Sequence, residues 1–313
     1  MKILVFGAGA IGSFIGGMLS QKNDVTLIGR KPHLDEINRS GLSVTGHTEL
    51  VFYPRTAENV ESYIRQEGAG TKPDLVIVTV KSYNTHVAIQ ALQPILDEKV
   101  MIMSLQNGLT NLETIKNYYR RSRVIGGVIS HGVIFQKPGR IKHAGEGEII
   151  LGGFGRLERE DLKSVADAFN SSGLSTITTD NILGELWVKA AVNASINPLT
   201  AIIGRRNGAL LETQEFTKLV ENICNEVVTV GRAAGIRLPQ CDMINKTKTV
   251  IRLTSENKSS MLQDIERNRP TEIDSINGAI VNVGKKYGVE SPVNETLTIM
   301  IKGLEQMNQK NQE

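Results

Sequence analysis

The chain has 313 residues, enough for two domains with separate cores. Its formal charge of +3 is close to balance, which gives no reason to expect nucleic acid or an anionic membrane as the main partner. Two cysteines, Cys224 and Cys241, are too few for a disulfide framework, no metal-type cysteine spacing occurs, and no run approaches a membrane span or a signal peptide, so the expectation is a soluble cytoplasmic protein.

Lys2 to Phe6 is a continuous apolar run, as a strand buried on both faces of a parallel sheet requires. Gly7-Ala8-Gly9-Ala10-Ile11-Gly12 follows at once, and Ser13 to Leu19 reads as a helix with Ile11, Ile15, Met18 and Leu19 on its buried face. Strand, glycine turn and helix in that order are the setting of a dinucleotide fingerprint. Gly7 permits the tight turn, Gly9 lets the backbone approach a pyrophosphate, and Gly12 lets helix and strand pack closely. The helix N-terminus offers open amides and a partial positive charge. The other reading, a glycine turn without a ligand, has this placement against it.

A second strand, Asp24 to Ile28, ends in Gly29-Arg30-Lys31. NAD-selective sites put an acid at this point to bind the ribose hydroxyls, and two cations instead suit a 2′-phosphate. The expected cofactor is therefore NADPH/NADP+, with Arg30 as the main contact and Lys31 in support; ordinary surface cations are the alternative. Gly41 to Tyr53 alternates as a pair of short strands around Gly46. Leu75 to Val80 is another apolar strand, and Lys81 stands at its carboxyl end, where ligands of open α/β sheets gather. A capping or solvent-facing lysine competes with that reading. Val100 to Leu105 ends in Gln106-Asn107-Gly108, a turn signal, so Asn107 is either a turn residue or a ligand contact at the same sheet edge.

Further on, Leu112 to Tyr118 reads as a helix, Val124 to Phe135, Ile141 to His143 and Glu148 to Leu151 as strands, Glu158 to Phe169 as a helix and Leu174 to Thr179 as a last strand. His131 and His143 have no carboxylate at a telling spacing and read as structural or surface residues. From Asn181 the pattern is helical, over Leu210 to Ala234 and Gly278 to Tyr287 among others, with breaks at Leu238-Pro239 and Ser291-Pro292. The fold expected is α/β: a Rossmann-type dinucleotide-binding domain at 1–180 followed by an all-α domain at 181–313.

The all-α half opens with Trp187 to Thr200, in which Lys189, Asn193 and Asn197 recur every four residues. That spacing stacks one cation and two amides on a single helix face among apolar and small residues. Lysine and asparagine are seldom buried without a partner or a task, and a lysine among neutral donors and acceptors suits a proton donor to a carbonyl oxygen. A polar stripe facing water, with Asn197 capping the turn before Pro198, has the same pattern. Further along, Ser259-Ser260-Met261-Leu262-Gln263-Asp264 precedes Pro270-Thr271-Glu272-Ile273-Asp274. Pro270 suits the first turn of a helix, which would put Glu272 at its start, where a carboxylate complements the helix dipole; Ser259 and Ser260 would serve as a cap or turn.

These segments together resemble the ketopantoate reductase family from residue 2 to about residue 300. The resemblance rests on Gly7 to Gly12, Lys81, Gln106 to Gly108, Lys189 to Ala201, Ser259 to Asp264 and Thr271 to Gly278, with Pro292 and Asn294 continuing it. The stretch from Lys31 to Thr71 matches least. The resemblance implies reduction of 2-dehydropantoate to (R)-pantoate with NADPH, a step toward pantothenate and coenzyme A. By likeness Lys189 is the general acid, Glu272 holds the reacting oxygen and Lys189, and Asn193, Asn197 and Ser260 hold the substrate. Asn107 sits at the junction of nicotinamide and substrate, and Lys81 touches cofactor or substrate. Gly7, Ala8, Gly9, Ala10, Ile11, Gly12 and Arg30 hold the dinucleotide, with Asn107 and Glu272 also bordering it, and the Lys189 row becomes the floor of a cleft between the two domains. Competing readings are a reductase of another small 2-oxo acid and a non-catalytic NADP(H)-sensing protein. A homodimer through the helical half is compatible with the sequence.

Overall fold

A strand buried on both faces needs apolar residues throughout, and Lys2–Phe6 meets that need as β1 near the middle of a large sheet. The computed structural model describes residues 1–68, 70–119 and 123–310. The chain forms two compact units, Met1–Gln106 with Asn111–Ile182, and Asn107–Thr110 with Leu183–Glu313.

In the first unit β1 is followed by α1 (Ala10–Leu19), β2 (Asp24–Ile28), α2 (Lys31–Ser40), β3 (Leu42–Gly46), β4 (Leu50–Phe52), β5 (Arg55–Ala57) and α3 (Val60–Glu67). Then come β6 (Leu75–Val78), α4 (Thr85–Leu92), β7 (Met101–Ser104), α5 (Asn111–Tyr118) and β8 (Arg123–Ile129). The unit ends with β9 (Gly132–Lys137), β10 (Arg140–Gly145), β11 (Ile149–Phe154), α6 (Arg159–Ser171) and β12 (Thr176–Thr179). The large sheet has the order β12-β11-β8-β7-β6-β1-β2-β5 and is parallel except where β11 runs against β8. Phe6 lies opposite both Ile28 and Val78, and Val78 opposite Ser104. The carboxyl ends of β1, β2, β6 and β7 are therefore flush, and the Gly7 turn, Arg30 and Lys81 all leave from one edge.

The pair β3–β4, expected as two short strands around Gly46, does not stand alone. Residues 43–46 of β3 pair in parallel with residues 140–143 of β10, giving a second sheet of order β4-β3-β10-β9. The helices α2 and α3, in the stretch that carried no helical expectation, pack on β5 at the edge of the large sheet.

A buried histidine ties these layers together. The Gly139 amide donates to His33 Nδ1 at 2.9 Å, so in the neutral ring it is Nε2–H that donates to Ser13 Oγ, also at 2.9 Å. Burial, with Arg30 adding to it, pushes the His33 pKa down to about 4. His131 faces His143 at 3.0 Å beside Phe14, and burial pushes its pKa down to about 4 as well; His143 is lowered by the same cause. Each ring binds its proton less readily folded than unfolded. Stability from these groups is thus complete above about pH 6.5 and is lost as pH falls toward 4. The urea midpoint is expected to drop between pH 6.5 and pH 4, and His33→Gln should lower it at pH 7 while flattening that slope. An unchanged slope in the variant would remove His33 from the account.

The second unit is built on α7 (Ile182–Ile203), α8 (Gln214–Ala233), α9 (Met243–Leu253), α10 (Ser260–Glu266), α11 (Asn277–Tyr287) and α12 (Pro292–Lys310). Two expectations need correction here. The segment Leu210 to Ala234 is not one helix, because a 3-10 turn over Asn207–Leu211 precedes α8, whose first turn is capped by Thr213 accepting from the Phe216 amide. And α7, at 22 residues, is long and apolar enough to cross a membrane, against the expectation that no run is. It is apolar nearly all round because it is the central helix of the unit's core, with Trp187, Val188, Ala191, Ala194 and Leu199 buried against Val220, Ile223, Val227 and Ile280.

Candidate active site

In the first unit the candidate site is the turn between β1 and α1. The Gly7 and Ala8 amides both donate to the Ile28 carbonyl, at 3.0 and 2.8 Å, which ties the turn to the end of β2. Gly7 has φ +119°, a conformation that favours glycine, and the Thr79 hydroxyl donates to its carbonyl at 2.8 Å. A Cβ at Gly12 would run into the Gly7 carbonyl and lie 2.5 Å from Thr79 Oγ1. A Cβ at Gly9 would meet only Gly7 O, at 4.0 Å, so the space over Gly9 is open. The amides of Ala10, Ile11 and Gly12 open α1, where no preceding turn supplies acceptors. Open space over Gly9 bordered by helix-terminal amides fits a pyrophosphate.

Arg30 is exposed just past the end of β2, where its backbone caps α2. Lys31 is engaged elsewhere: its ammonium meets Glu58 at 3.0 Å and Asp35 at 3.3 Å. Lys81 begins the short 3-10 turn Ser82–Asn84 after β6. Its neighbours are held by a buried network that the sequence pattern did not reveal. Gln106 Nε2 donates to the Val80 carbonyl at 2.9 Å and to Thr85 Oγ1 at 2.8 Å, and Thr85 Oγ1 also lies 2.8 Å from Asn111 Oδ1. The signal available was only that Ser104, Gln106 and Asn111 cluster around the end of one strand.

The second unit brings together Lys189, Glu272 and Asn107. Lys189, Asn193 and Asn197 lie on one helix, α7, and burial increases along the row: Lys189 and Asn193 are partly exposed, Asn197 is 6 % exposed. Asn107 belongs to this unit, and its Nδ2 donates to Glu272 Oε2 at 3.4 Å. Glu272 is buried, and not at the start of an α-helix as Pro270 suggested. After α10 the chain reverses through Asn268, at φ +50°, and Glu272 instead precedes one 3-10 turn, Ile273–Ser275. Glu305 of α12 accepts the Thr271 amide at 2.6 Å, and Thr271 Oγ1 accepts the Ile273 amide, so the backbone on both sides of Glu272 is pinned. Burial pulls the Lys189 pKa down to about 8, and the Glu272 charge opposes that fall. An ammonium with such a pKa can give up its proton near neutral pH and still be charged before it does.

Of the serine pair, Ser259 is the buried one. It caps α10 by accepting the Leu262 amide and lies 2.7 Å from Thr200 Oγ1 of α7, whereas Ser260 is exposed in the first turn.

The model described as Ketopantoate reductase PanE/ApbA matches residues 3–156, and that of its C-terminal part matches residues 181–305. Among curated relatives, the 2-dehydropantoate 2-reductase of Pyrococcus horikoshii is 36% identical over 308 residues, covering 98% of each chain. Among solved structures, the PanE/ApbA family ketopantoate reductase of Ralstonia eutropha JMP134 superposes with a TM-score of 0.89 at 29% identity, over 99% of this chain and 100% of that one. D-mandelate dehydrogenase in ternary complex with NADH and anilino(oxo)acetate does so with a TM-score of 0.90 at 30% identity, over the same shares of each chain.

Proposed function

The chain belongs to the ketopantoate reductase family of oxidoreductases, and from that premise we propose that it reduces 2-dehydropantoate to (R)-pantoate with NADPH, a step toward pantothenate and coenzyme A. The observation that carries this reading is the grouping, within the helical unit, of Lys189 on α7 with the buried Glu272 carboxylate, to which Asn107 Nδ2 donates at 3.4 Å. When bound, a reduced nicotinamide supplies a hydride to the ketone carbon. Lys189 then stabilises the charge that develops on the ketone oxygen and delivers the proton that makes it a hydroxyl. Glu272 keeps the ammonium charged and oriented, and Asn107 holds Glu272 through their hydrogen bond. Asn193 and Asn197 bind the substrate's polar groups, and Ser260 contributes a hydroxyl.

For the cofactor, Gly7 to Gly12 cradle the pyrophosphate, with Ala10, Ile11 and Gly12 giving their amides, and Arg30 takes the 2′-phosphate. Lys81 borders the cofactor or substrate. The direct test is loss of NADPH absorbance on adding ketopantoate, with NADH and other 2-oxo acids as controls, including an aryl 2-oxo acid because of the likeness to D-mandelate dehydrogenase. Preferred turnover of ketopantoate supports the reading. Faster reduction of the aryl acid would replace it with that of a different 2-oxo acid reductase.

Arg30 has its own measurable consequence. Arg30→Ala is expected to raise KM for NADPH about tenfold, as loss of one charge-assisted hydrogen bond does, and to leave KM for NADH unchanged. Equal use of both dinucleotides by the wild type, unaltered in the variant, would show that the cation does not read the phosphate.

A further inference from the structure

Pro198 lies inside α7. Proline has no N–H, so the carbonyl four residues earlier, that of Ala194, loses its helical donor, and the ring also crowds that carbonyl. A buried carbonyl without a donor is costly. Here it has one from another element. Asn277, fully buried at the start of α11, donates Nδ2–H to Ala194 O at 3.1 Å and a second Nδ2–H to Asn294 Oδ1 at 3.0 Å. Asn294, also fully buried, donates Nδ2–H to Glu226 Oε2 of α8 at 2.7 Å. The two Glu226 oxygens also accept the Val293 and Asn294 amides in the first turn of α12, each at 2.9 Å.

The chain of bonds has only one direction. A carboxylate only accepts, so Asn294 must turn its amide nitrogen to Glu226 and its oxygen to Asn277. Asn277 must then present its nitrogen to both Asn294 and Ala194. Asn277 Oδ1 is left buried without a hydrogen-bond partner among the described residues, so the two bonds made by its amide nitrogen fix the orientation at the expense of its oxygen. The bond it makes falls inside the functional row. Lys189 and Asn193 lie before Ala194, and Asn197 lies between Ala194 and Pro198.

We propose that Asn277, oriented by Asn294 and Glu226, is a positioning residue: by taking the carbonyl that Pro198 leaves open it sets Asn197 at the offset from Lys189 and Asn193 that the substrate requires. This rests on the function proposed above. It assigns a task to the three elements α8, α11 and α12 that otherwise serve only as core.

The test is a cycle on the full-length protein with Asn277→Ala, Pro198→Ala and the double variant. Each is read by ketopantoate kinetics, by dinucleotide Kd and by Tm. Asn277→Ala is expected to raise KM for ketopantoate about tenfold with a smaller change in kcat, to leave dinucleotide Kd unchanged and to lower Tm. In the double variant the Pro198→Ala change restores the missing backbone N–H, so Tm should recover toward wild type while KM stays high, because the Ala194 carbonyl is then bonded within α7 and no longer to Asn277. Recovery of both would reduce Asn277 to a plain hydrogen-bond donor, and an unchanged KM in Asn277→Ala would overturn the proposal outright. If Asn277→Ala does not fold, the double variant carries the comparison alone. A wild type inert toward ketopantoate would remove the functional reading and the positioning claim with it, while the Tm cycle would still decide whether Asn277 replaces the proline's missing donor.

Discussion

Lys189→Ala is expected to lower kcat for ketopantoate by roughly 10²–10⁴ while the affinity for the dinucleotide stays at its wild-type value. The split follows from where the two functions lie in the chain. The glycine turn and Arg30 belong to the α/β unit, and Lys189 to the helical one. In its proposed role the lysine meets an oxygen that becomes an alkoxide only in the transition state, so its loss falls on kcat more than on binding. The pH profile carries a second signature. With a pKa pulled down to about 8 by burial, the charged lysine is depleted above pH 8, and kcat/KM should fall there by about a factor of ten per pH unit. Folding moves the other way. Between about pH 8 and 10.5 the unfolded chain holds a proton that the folded chain has released, so the lysine's contribution to stability rises with pH. Lys189→Ala should lose both the alkaline limb of the rate and that part of the stability rise. Near-normal turnover in the variant would refute the general-acid role.

The parts of this structure legible in the sequence are those whose cause is local. A strand buried on both faces has to be apolar at each position, so Lys2 to Phe6 and Asp24 to Ile28 declare themselves, and glycines that follow a strand at once mark its turn. The Lys189, Asn193 and Asn197 spacing likewise implied one helix, and α7 carries all three. What stayed hidden depends on distant partners. No local pattern says that Ser43 pairs with Arg140, so Gly41 to Tyr53 read as a pair of short strands and not as half of a second sheet. The sequence left a turn before Pro198 open as the alternative, and nothing local shows that the Ala194 carbonyl, which Pro198 deprives of its helical donor, is taken up by Asn277, 83 residues away. Pro270 misled in the opposite sense. It permits a helix start but does not compel one, and the pinned backbone around Glu272 takes a single 3-10 turn instead. The partners of Lys31, in Asp35 and Glu58, were likewise invisible until α2 was known to form.

Gly12→Ala should damage the protein through the other unit. An added methyl would press on the Gly7 carbonyl and lie 2.5 Å from Thr79 Oγ1, and neither can give way cheaply. The Gly7 carbonyl accepts both the Gly9 amide, at 2.7 Å, and the Thr79 hydroxyl, and Gly7 is itself boxed in, since a Cβ there would lie 2.7 Å from the Val80 amide nitrogen. Overpacking of this kind costs about 1–3 kcal/mol, which for a unit of this size lowers Tm by between roughly 2 and 12 °C. Relief comes by lifting α1 off β1, and that motion carries away the Ala10, Ile11 and Gly12 amides proposed to hold the pyrophosphate. Dinucleotide Kd should therefore rise by at least about tenfold, the equivalent of roughly 1.4 kcal/mol. Gly9→Ala is the matched control, because a methyl there meets only Gly7 O at 4.0 Å. It should leave Tm near wild type and still weaken dinucleotide binding, since the methyl would occupy the space the ligand needs. A Gly9→Ala protein that bound the dinucleotide normally would show that the open space over Gly9 is not where the pyrophosphate sits. A Gly12→Ala protein with unchanged Tm and Kd would show that the close approach of α1 to the turn is not required for either.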